Sequence, residues 1–434
     1  MAVEGTRGAH AEEVPVTKFA IQGGTPLRGT VRISGSKNAA VAAIPAALLA
    51  SGPSNLENLP RIKDVENFVG ILTDLGAEIR VEGSGPAYIH PNGFATHRAP
   101  YEQVKRLRAS YYLLGVLLAR FGQAEVALPG GCDIGHRPID QHLKGFKALG
   151  AEVSLEHGVV KAAARRLRGA PVYLDVVSVG ATINIMLAAT LAEGLTTIEN
   201  AAREPHIVDL ANYLNAMGAR VQGAGTDVIR IRGVREMHGT SHAIIPDDIE
   251  ASTYLMAGVA TRGDVTVENV IPKHLESVMA KLRETGAEVI ENGDWVRVVN
   301  RGRPRAANIK TLPYPGFPTD AQQPFAAVMA TADGVSVIHE TLYDNRFGYM
   351  NELTRMGAQV KVDGRTAVVE GVERLLGAPV QANDLRAGAA LVIAGLSAEG
   401  TSDVYGVEHV ERGYQDMLGK LVAMGAVITR SPGA

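Results

Sequence analysis

One cysteine, one tryptophan and an aromatic share of 5% are the scarcities of this 434-residue chain. A single thiol closes no intramolecular disulfide and supplies no cysteine-rich metal site. Few aromatics and a formal charge of -3 leave no basic, base-stacking surface of the kind that nucleic acid requires. No Lys/Arg block points to a membrane surface. Apolar runs such as Ala39 to Ala50 fall short of the roughly eighteen residues of a membrane span. The opening Met1-Ala2-Val3-Glu4-Gly5-Thr6, with Glu12 and Glu13 soon after, matches neither a signal peptide nor a transit peptide. A cytoplasmic protein with a loose tail to about residue 17 is the expectation. Apolar residues at 46% and charged residues at 21% are ordinary for a globular chain, and the length suggests two or more domains.

The lone cysteine sits in Leu128-Pro129-Gly130-Gly131-Cys132-Asp133-Ile134-Gly135-His136-Arg137-Pro138-Ile139-Asp140. Three glycines lie within three positions of it, so the backbone can approach a ligand closely. Arg137 can pair an anion bidentately and favours the thiolate. A turn around a buried cysteine is the competing reading.

A repeat organises the rest. The phrase Gly-Ala-x-(Val/Ile) follows a helical pattern at Gly76, Gly150, Gly218, Gly286, Gly357 and Gly425, in steps of 74, 68, 68, 71 and 68 residues. Gly52, Gly122, Gly194, Gly263, Gly334 and Gly400 follow small-residue apolar helices and are expected as their C-caps, in steps of 70, 72, 69, 71 and 66. Two markers with one period indicate six copies of a supersecondary unit. Each unit reads as a helix apolar all round, a short strand, an amphipathic helix such as His274 to Thr285, and further strands. Six βαβαβ-type units suit an α/β protein of two domains, three units each, with helices inside and sheets outside. The buried helices begin at Lys37-Asn38, Arg108, Ser178, Asp248 to Glu250, Asp320 and Asp384 to Arg386. Equivalent positions in facing domains would bring these starts to one cleft. Basic residues at helix N-termini (Lys37, Arg108, Arg386) oppose the helix dipole, which hints at a phosphate or carboxylate between them.

Gly35-Ser36-Lys37-Asn38-Ala39-Ala40, the cysteine loop, Asn200-Ala201-Ala202-Arg203-Glu204-Pro205, Phe317-Pro318-Thr319-Asp320, Asn345-Arg346-Phe347, Asp384-Leu385-Arg386-Ala387 and Arg412-Gly413-Tyr414 occur in this order. From about residue 18 to 430 the chain resembles the bacterial UDP-N-acetylglucosamine 1-carboxyvinyltransferases. The resemblance implies the two-domain inside-out α/β prism of the enolpyruvyl transferases. It divides the chain into residues 37–245, carrying the cysteine loop, and residues 1–36 plus 246–434. It also implies the first committed step of peptidoglycan precursor synthesis, with its place in cell wall biogenesis, cell shape and cell division. The enolpyruvyl group of phosphoenolpyruvate moves to the sugar 3′-hydroxyl by addition and elimination, without metal or other cofactor.

Residue by residue, Cys132 matches the family's proton donor and fosfomycin target. Asp320 matches the base at the sugar hydroxyl. Lys37, Arg137 and Arg412, with Asn38, match phosphoenolpyruvate ligands, and Arg346 and Arg386 further cleft cations. Asn38, Arg108, Arg137, Pro138, Ile139, Asp140, Gln141, Ser178, Val179, Gly180, Asp320 and Leu342 match the nucleotide-sugar site, with Glu204 and His142 near the sugar. Plainer roles compete: a helix cap for Asp320 and Ser178, a structural histidine for His142, and a surface ion pair for each arginine, above all Arg346 with Asp344. The chain departs from the family at Val176 (commonly lysine), Asp248 (arginine), His206 (glutamate) and Gln141 (often leucine). Asp133 beside the thiol would raise its pKa. An enolpyruvyl transferase with another acceptor, such as a different nucleotide or shikimate 3-phosphate, and a catalytically silent nucleotide-sugar-binding regulator are the alternatives. The cysteine loop argues against the shikimate branch, and retention of Cys132, Asp320, Lys37 and Arg412 against the regulator. No Gly-x-Gly-x-x-Gly follows a strand, which argues against a nicotinamide dehydrogenase.

Overall fold

The computed structural model describes residues 17–81, 85–99, 101–105, 107–128 and 139–432. Cys132, Arg137 and Pro138, with most of the cysteine loop and the N-terminal tail, lie outside them.

Among the described residues six four-stranded sheets surround buried helices, giving the mixed α/β architecture of six repeats. Each sheet repeats one pattern. In the third, Pro171–Tyr173 runs parallel to Leu195–Glu199, which pairs antiparallel with Val228–Arg232, and that with Arg220–Gln222. The parallel pair needs a crossover, and the buried helix Val179–Ala189 supplies it. The helices that start the units are inside because they lack a polar face: in Asp248–Ala260 every residue from Ile249 onward is buried. The second helix of each unit is amphipathic, as in Lys63–Asp74, which buries Val65, Phe68, Ile71 and Leu72.

All six glycines of the Gly-Ala phrase adopt left-handed backbone, with φ between 88° and 98°. At five of them the following alanine N–H reaches the carbonyl five residues back, at 3.0 Å in each case (Ala77 to Leu72, Ala151 to Phe146, Ala219 to Leu214, Ala358 to Leu353, Ala426 to Leu421). This is a Schellman cap, which favours glycine because it carries no Cβ penalty at positive φ. The other glycine series behaves differently from expectation. Gly122 caps its helix directly. Elsewhere the caps are Thr190, Thr261, Ala330 and Ala398, and Gly194, Gly334 and Gly400 bend the chain into the next strand at positive φ.

Two apolar cores result. One runs from Ala39 to Ile244; the other gathers Phe19 to Ile33 with Ala251 to Ile428. Strand Thr17–Gln22 lies between Thr401–Tyr405 and Val427–Pro432. Arg28–Arg32 runs parallel to Asp264–Glu268, while Ser241–Ala243 returns to Ser54–Glu57. The two chain segments linking the cores pass side by side: Ser36 N–H donates to Ile245 O at 2.7 Å and Asp247 N–H to Ser34 O at 2.9 Å. Gly35 lies between them, where a Cβ would sit 1.8 Å from Asn58 O.

Candidate active site

The helix starts meet. Lys37 and Asn38, Arg108, Ser178 to Gly180, Asp248, Asp320 and Asp384 to Arg386 all line one cavity of about 490 Å³. Side-chain capping fixes four of these starts. Ser36, Ser178, Asp247 and Asp384 accept backbone N–H groups of the first turns behind them. Ile139, Asp140, Gln141, His142, Glu204, Leu342, Arg346 and Arg412 complete the expected set, so every sequence-predicted site residue within the described part of the chain lines this cavity.

Asp320 is the centre of charge. Its Oδ1 accepts from Arg346 Nη2 at 2.6 Å, and its Oδ2 from Arg386 Nη2 at 3.1 Å and Nε at 3.2 Å. Burial alone would raise its pKa, but the Arg386 and Arg346 guanidiniums hold it well below the usual carboxylate range. The side chain keeps 29% exposure and faces the cleft as a carboxylate. The helix-cap reading of Asp320 fails: the cap positions of Thr319–Ala321 and Gln322–Met329 are Pro318 and Ala321, neither with a side-chain cap, and Asp320 lies within the first turn with its oxygens on the arginines. The surface-pair reading of Arg346 fails too. Arg346 is buried under Tyr343, 5.0 Å from the ring centre, and Asp344 pairs with Arg365 Nε at 2.9 Å instead. Ser178, by contrast, does cap its helix, accepting from Ala181 N–H at 3.2 Å.

The second charge cluster has a member that the sequence did not reveal. Asp64 accepts from Lys37 Nζ at 3.0 Å and from Arg412 Nε at 2.9 Å, across 348 residues of sequence in the latter case. Its side chain is 2% exposed. Burial pushes its pKa up, yet the Lys37 and Arg412 charges outweigh this and lower it. In the sequence Asp64 reads only as an acid in a helix first turn, favoured there by the dipole.

His142 is held as a neutral ring, since burial takes its pKa down to about 3. Asn184 Nδ2 donates to Tyr111 O and approaches His142 Nδ1, both at 2.9 Å, while Asn184 Oδ1 accepts Gly115 N–H. Nδ1 is therefore the acceptor and Nε2 carries the proton. A Cβ on Gly180 would stand 3.1 Å from that Nε2, so glycine there keeps the ring in place. Glu204 Oε1 accepts Tyr314 N–H at 3.4 Å, joining the two cores, and burial raises its pKa. Asp248 is pushed up to about 7 by burial and by Asp247. His206 is lowered to about 4 by burial, against an opposing pull from Asp320. Among the described residues no group of His, Cys, Asp and Glu has metal-binding geometry, and no helix is long and apolar enough to cross a membrane.

Chemically, the cavity offers a cluster of fixed cations, a carboxylate between two of them, and helix N-termini. That suits a substrate with phosphate and carboxylate groups beside a hydroxyl to be oriented.

Known proteins resemble the chain along its length. The family model for EPSP synthase (3-phosphoshikimate 1-carboxyvinyltransferase) matches residues 21–421. UDP-N-acetylglucosamine 1-carboxyvinyltransferase 3 of Symbiobacterium thermophilum is 58% identical over 95% of this chain and 97% of its own. UDP-N-acetylglucosamine 1-carboxyvinyltransferase of Clostridium botulinum is 55% identical over 96% of this chain and 100% of its own. The crystal structure of the enolpyruvyl transferase NikO from Streptomyces tendae superposes with a TM-score of 0.86 at 27% identity, covering 97% of this chain and 100% of that one. EPSP synthase from Acinetobacter baumannii, at 19% identity and TM-score 0.72 over 96% of this chain and 100% of its own, shares the fold.

Proposed function

The chain belongs to the UDP-N-acetylglucosamine 1-carboxyvinyltransferase family of enolpyruvyl transferases, and from this we propose that it transfers enolpyruvyl from phosphoenolpyruvate to the 3′-hydroxyl of UDP-N-acetylglucosamine, releasing phosphate. The observation that carries the reading is the meeting of all six inner-helix starts, with Lys37, Arg346, Arg386 and Arg412, around one cavity. The two domains are residues 37–245 and residues 1–36 plus 246–434; the separate apolar cores support this division.

In the addition step the hydroxyl oxygen bonds to C2 of phosphoenolpyruvate and a proton is delivered to C3, the Cys132 thiol being the donor. Asp320 orients the hydroxyl and takes its proton as the C–O bond forms. The product is a tetrahedral ketal. Elimination breaks the C2–O bond to phosphate and removes a proton from C3, restoring the double bond. Lys37, Arg412 and Arg137 hold phosphate and carboxylate, and Arg346 and Arg386 stabilise charge as it develops. Arg108, Ser178 to Gly180 and Ile139 to Gln141 hold the nucleotide sugar, with Asn38, Glu204, His142 and Leu342 around it. This assigns the protein to peptidoglycan precursor synthesis in the cytoplasm and makes it a fosfomycin target.

Phosphate release is the test. Release that requires both substrates, and stops in Cys132→Ala and after fosfomycin treatment, is expected. Binding of the nucleotide sugar without release would overturn transfer in favour of a regulator. Absence of both would redirect the acceptor to another nucleotide.

A further inference from the structure

The helix Asp248–Ala260 touches the linker before Lys37 and the segment that carries Arg412 with one face, residues spaced by three or four. Its N-cap Asp247 accepts Lys37 N–H at 2.9 Å through Oδ2 while Oδ1 takes Ile249 and Glu250 N–H. One turn on, Glu250 Oε2 accepts Ser34 N–H at 2.8 Å, and Oε1 accepts from Lys420 Nζ at 2.5 Å. Lys420 also donates to Ser34 Oγ at 2.7 Å and lies 6.0 Å from the centre of the Tyr254 ring. A further turn on, Thr253 hydroxyl donates to Ile249 O, so its contact at 2.9 Å with Tyr414 has the tyrosine hydroxyl as donor. Tyr414 stands two residues after Arg412, and Lys420 six residues after that. A buried ion pair contributes little net stability over apolar groups of the same shape, and Glu250 is 2% exposed. Its contacts are instead geometric: they join the backbone of the linker three residues before Lys37 to the Lys420 side chain, eight residues after Arg412.

We propose that Glu250 and Lys420 are positioning residues for phosphoenolpyruvate, setting through this helix face the separation of Lys37 and Arg412. The inference rests on the proposed role of those two cations. It predicts the larger effect on phosphoenolpyruvate: of the nucleotide-sugar residues Asn38 shares the Lys37 helix, whereas those on Val179–Ala189 and at Ile139 to Gln141 make no bond to Glu250 or Lys420 among the described residues.

The experiment uses the full-length protein and the double variant Glu250→Gln/Lys420→Met, which removes both charges together and leaves neither buried alone. At unchanged helix content, KM for phosphoenolpyruvate should rise about tenfold, with KM for UDP-N-acetylglucosamine within about twofold of the parent, and Lys420→Arg should recover part of the loss. Unchanged KM values, or an equal rise in both, would overturn the clamp. If the double variant does not fold, Ser34→Ala removes the Lys420 hydroxyl acceptor alone; no rise in phosphoenolpyruvate KM would then overturn it. Hydrogen exchange at the Ser34 and Lys37 amides reads the clamp without turnover. Faster exchange at both in the variant is expected, and identical exchange refutes the proposal. A parent that releases no phosphate sinks the proposed function separately.

Discussion

Asp320 has both oxygens bonded to guanidinium groups, so it is fixed to orient the hydroxyl, and under the proposed mechanism it takes the proton only as the C–O bond forms and makes that oxygen acidic. Asp320→Asn keeps the shape and loses the charge; kcat should fall about 10²- to 10⁴-fold, and a value within threefold of the parent would remove it from the chemistry. Two neighbours titrate in opposite senses. Asp248 is raised from 3.8 to about 7. Between those values the folded protein keeps a proton that the unfolded chain has lost, so stability falls as pH rises through the window. The melting temperature of Asp248→Asn should exceed the parent's above pH 7, with the gap closing toward pH 4. His206 is lowered from 6.5 to about 4. Here the unfolded chain binds the extra proton, so the parent should lose ground to His206→Gln as pH falls from 6.5 to 4. Thermal melts across pH 4 to 8 check both signs. Residue types at the helix starts made Lys37, Asp320 and Arg386 visible in the sequence, and the family resemblance added Arg412. Asp64 was not visible, because its partners lie on distant segments and an acid in a helix first turn needs no other explanation.

At the scale of elements, glycine and serine are read most directly. Gly357 has φ of 92° and no atom within 4 Å of an added Cβ, so Gly357→Ala isolates backbone strain. It should cost about 1–2 kcal/mol and lower the melting temperature; no shift would mean that the cap relaxes. Ser178→Ala removes a helix cap worth about 1 kcal/mol in the cavity lining proposed to hold the nucleotide sugar, so stability and nucleotide-sugar KM should both worsen. The repeat was legible because each unit must end an amphipathic helix with the same left-handed turn, and only glycine serves there without strain. Helix ends near Gly194, Gly263, Gly334 and Gly400 were less legible. Those glycines shape the turn into the next strand, and the helix caps lie two to four residues earlier.

At the scale of the molecule, two cores joined by two adjacent linkers have the connection that a change of mutual angle needs. Small-angle scattering should show a smaller radius of gyration once UDP-N-acetylglucosamine and phosphoenolpyruvate are both added; an unchanged radius would exclude closure over the substrates. The sequence alone determined the six-unit construction, the burial of the inner helices and the residue types at their starts. These follow from local periodicity and capping, which act within a few turns of chain. Only the tertiary structure decided which charges meet: that Arg346 turns from Asp344 to Asp320, that Asp64 bridges Lys37 and Arg412, and that one helix face ties both to a common frame. Ion pairing between residues 26 to 348 positions apart depends on which helix ends the fold brings together, and no local pattern encodes that.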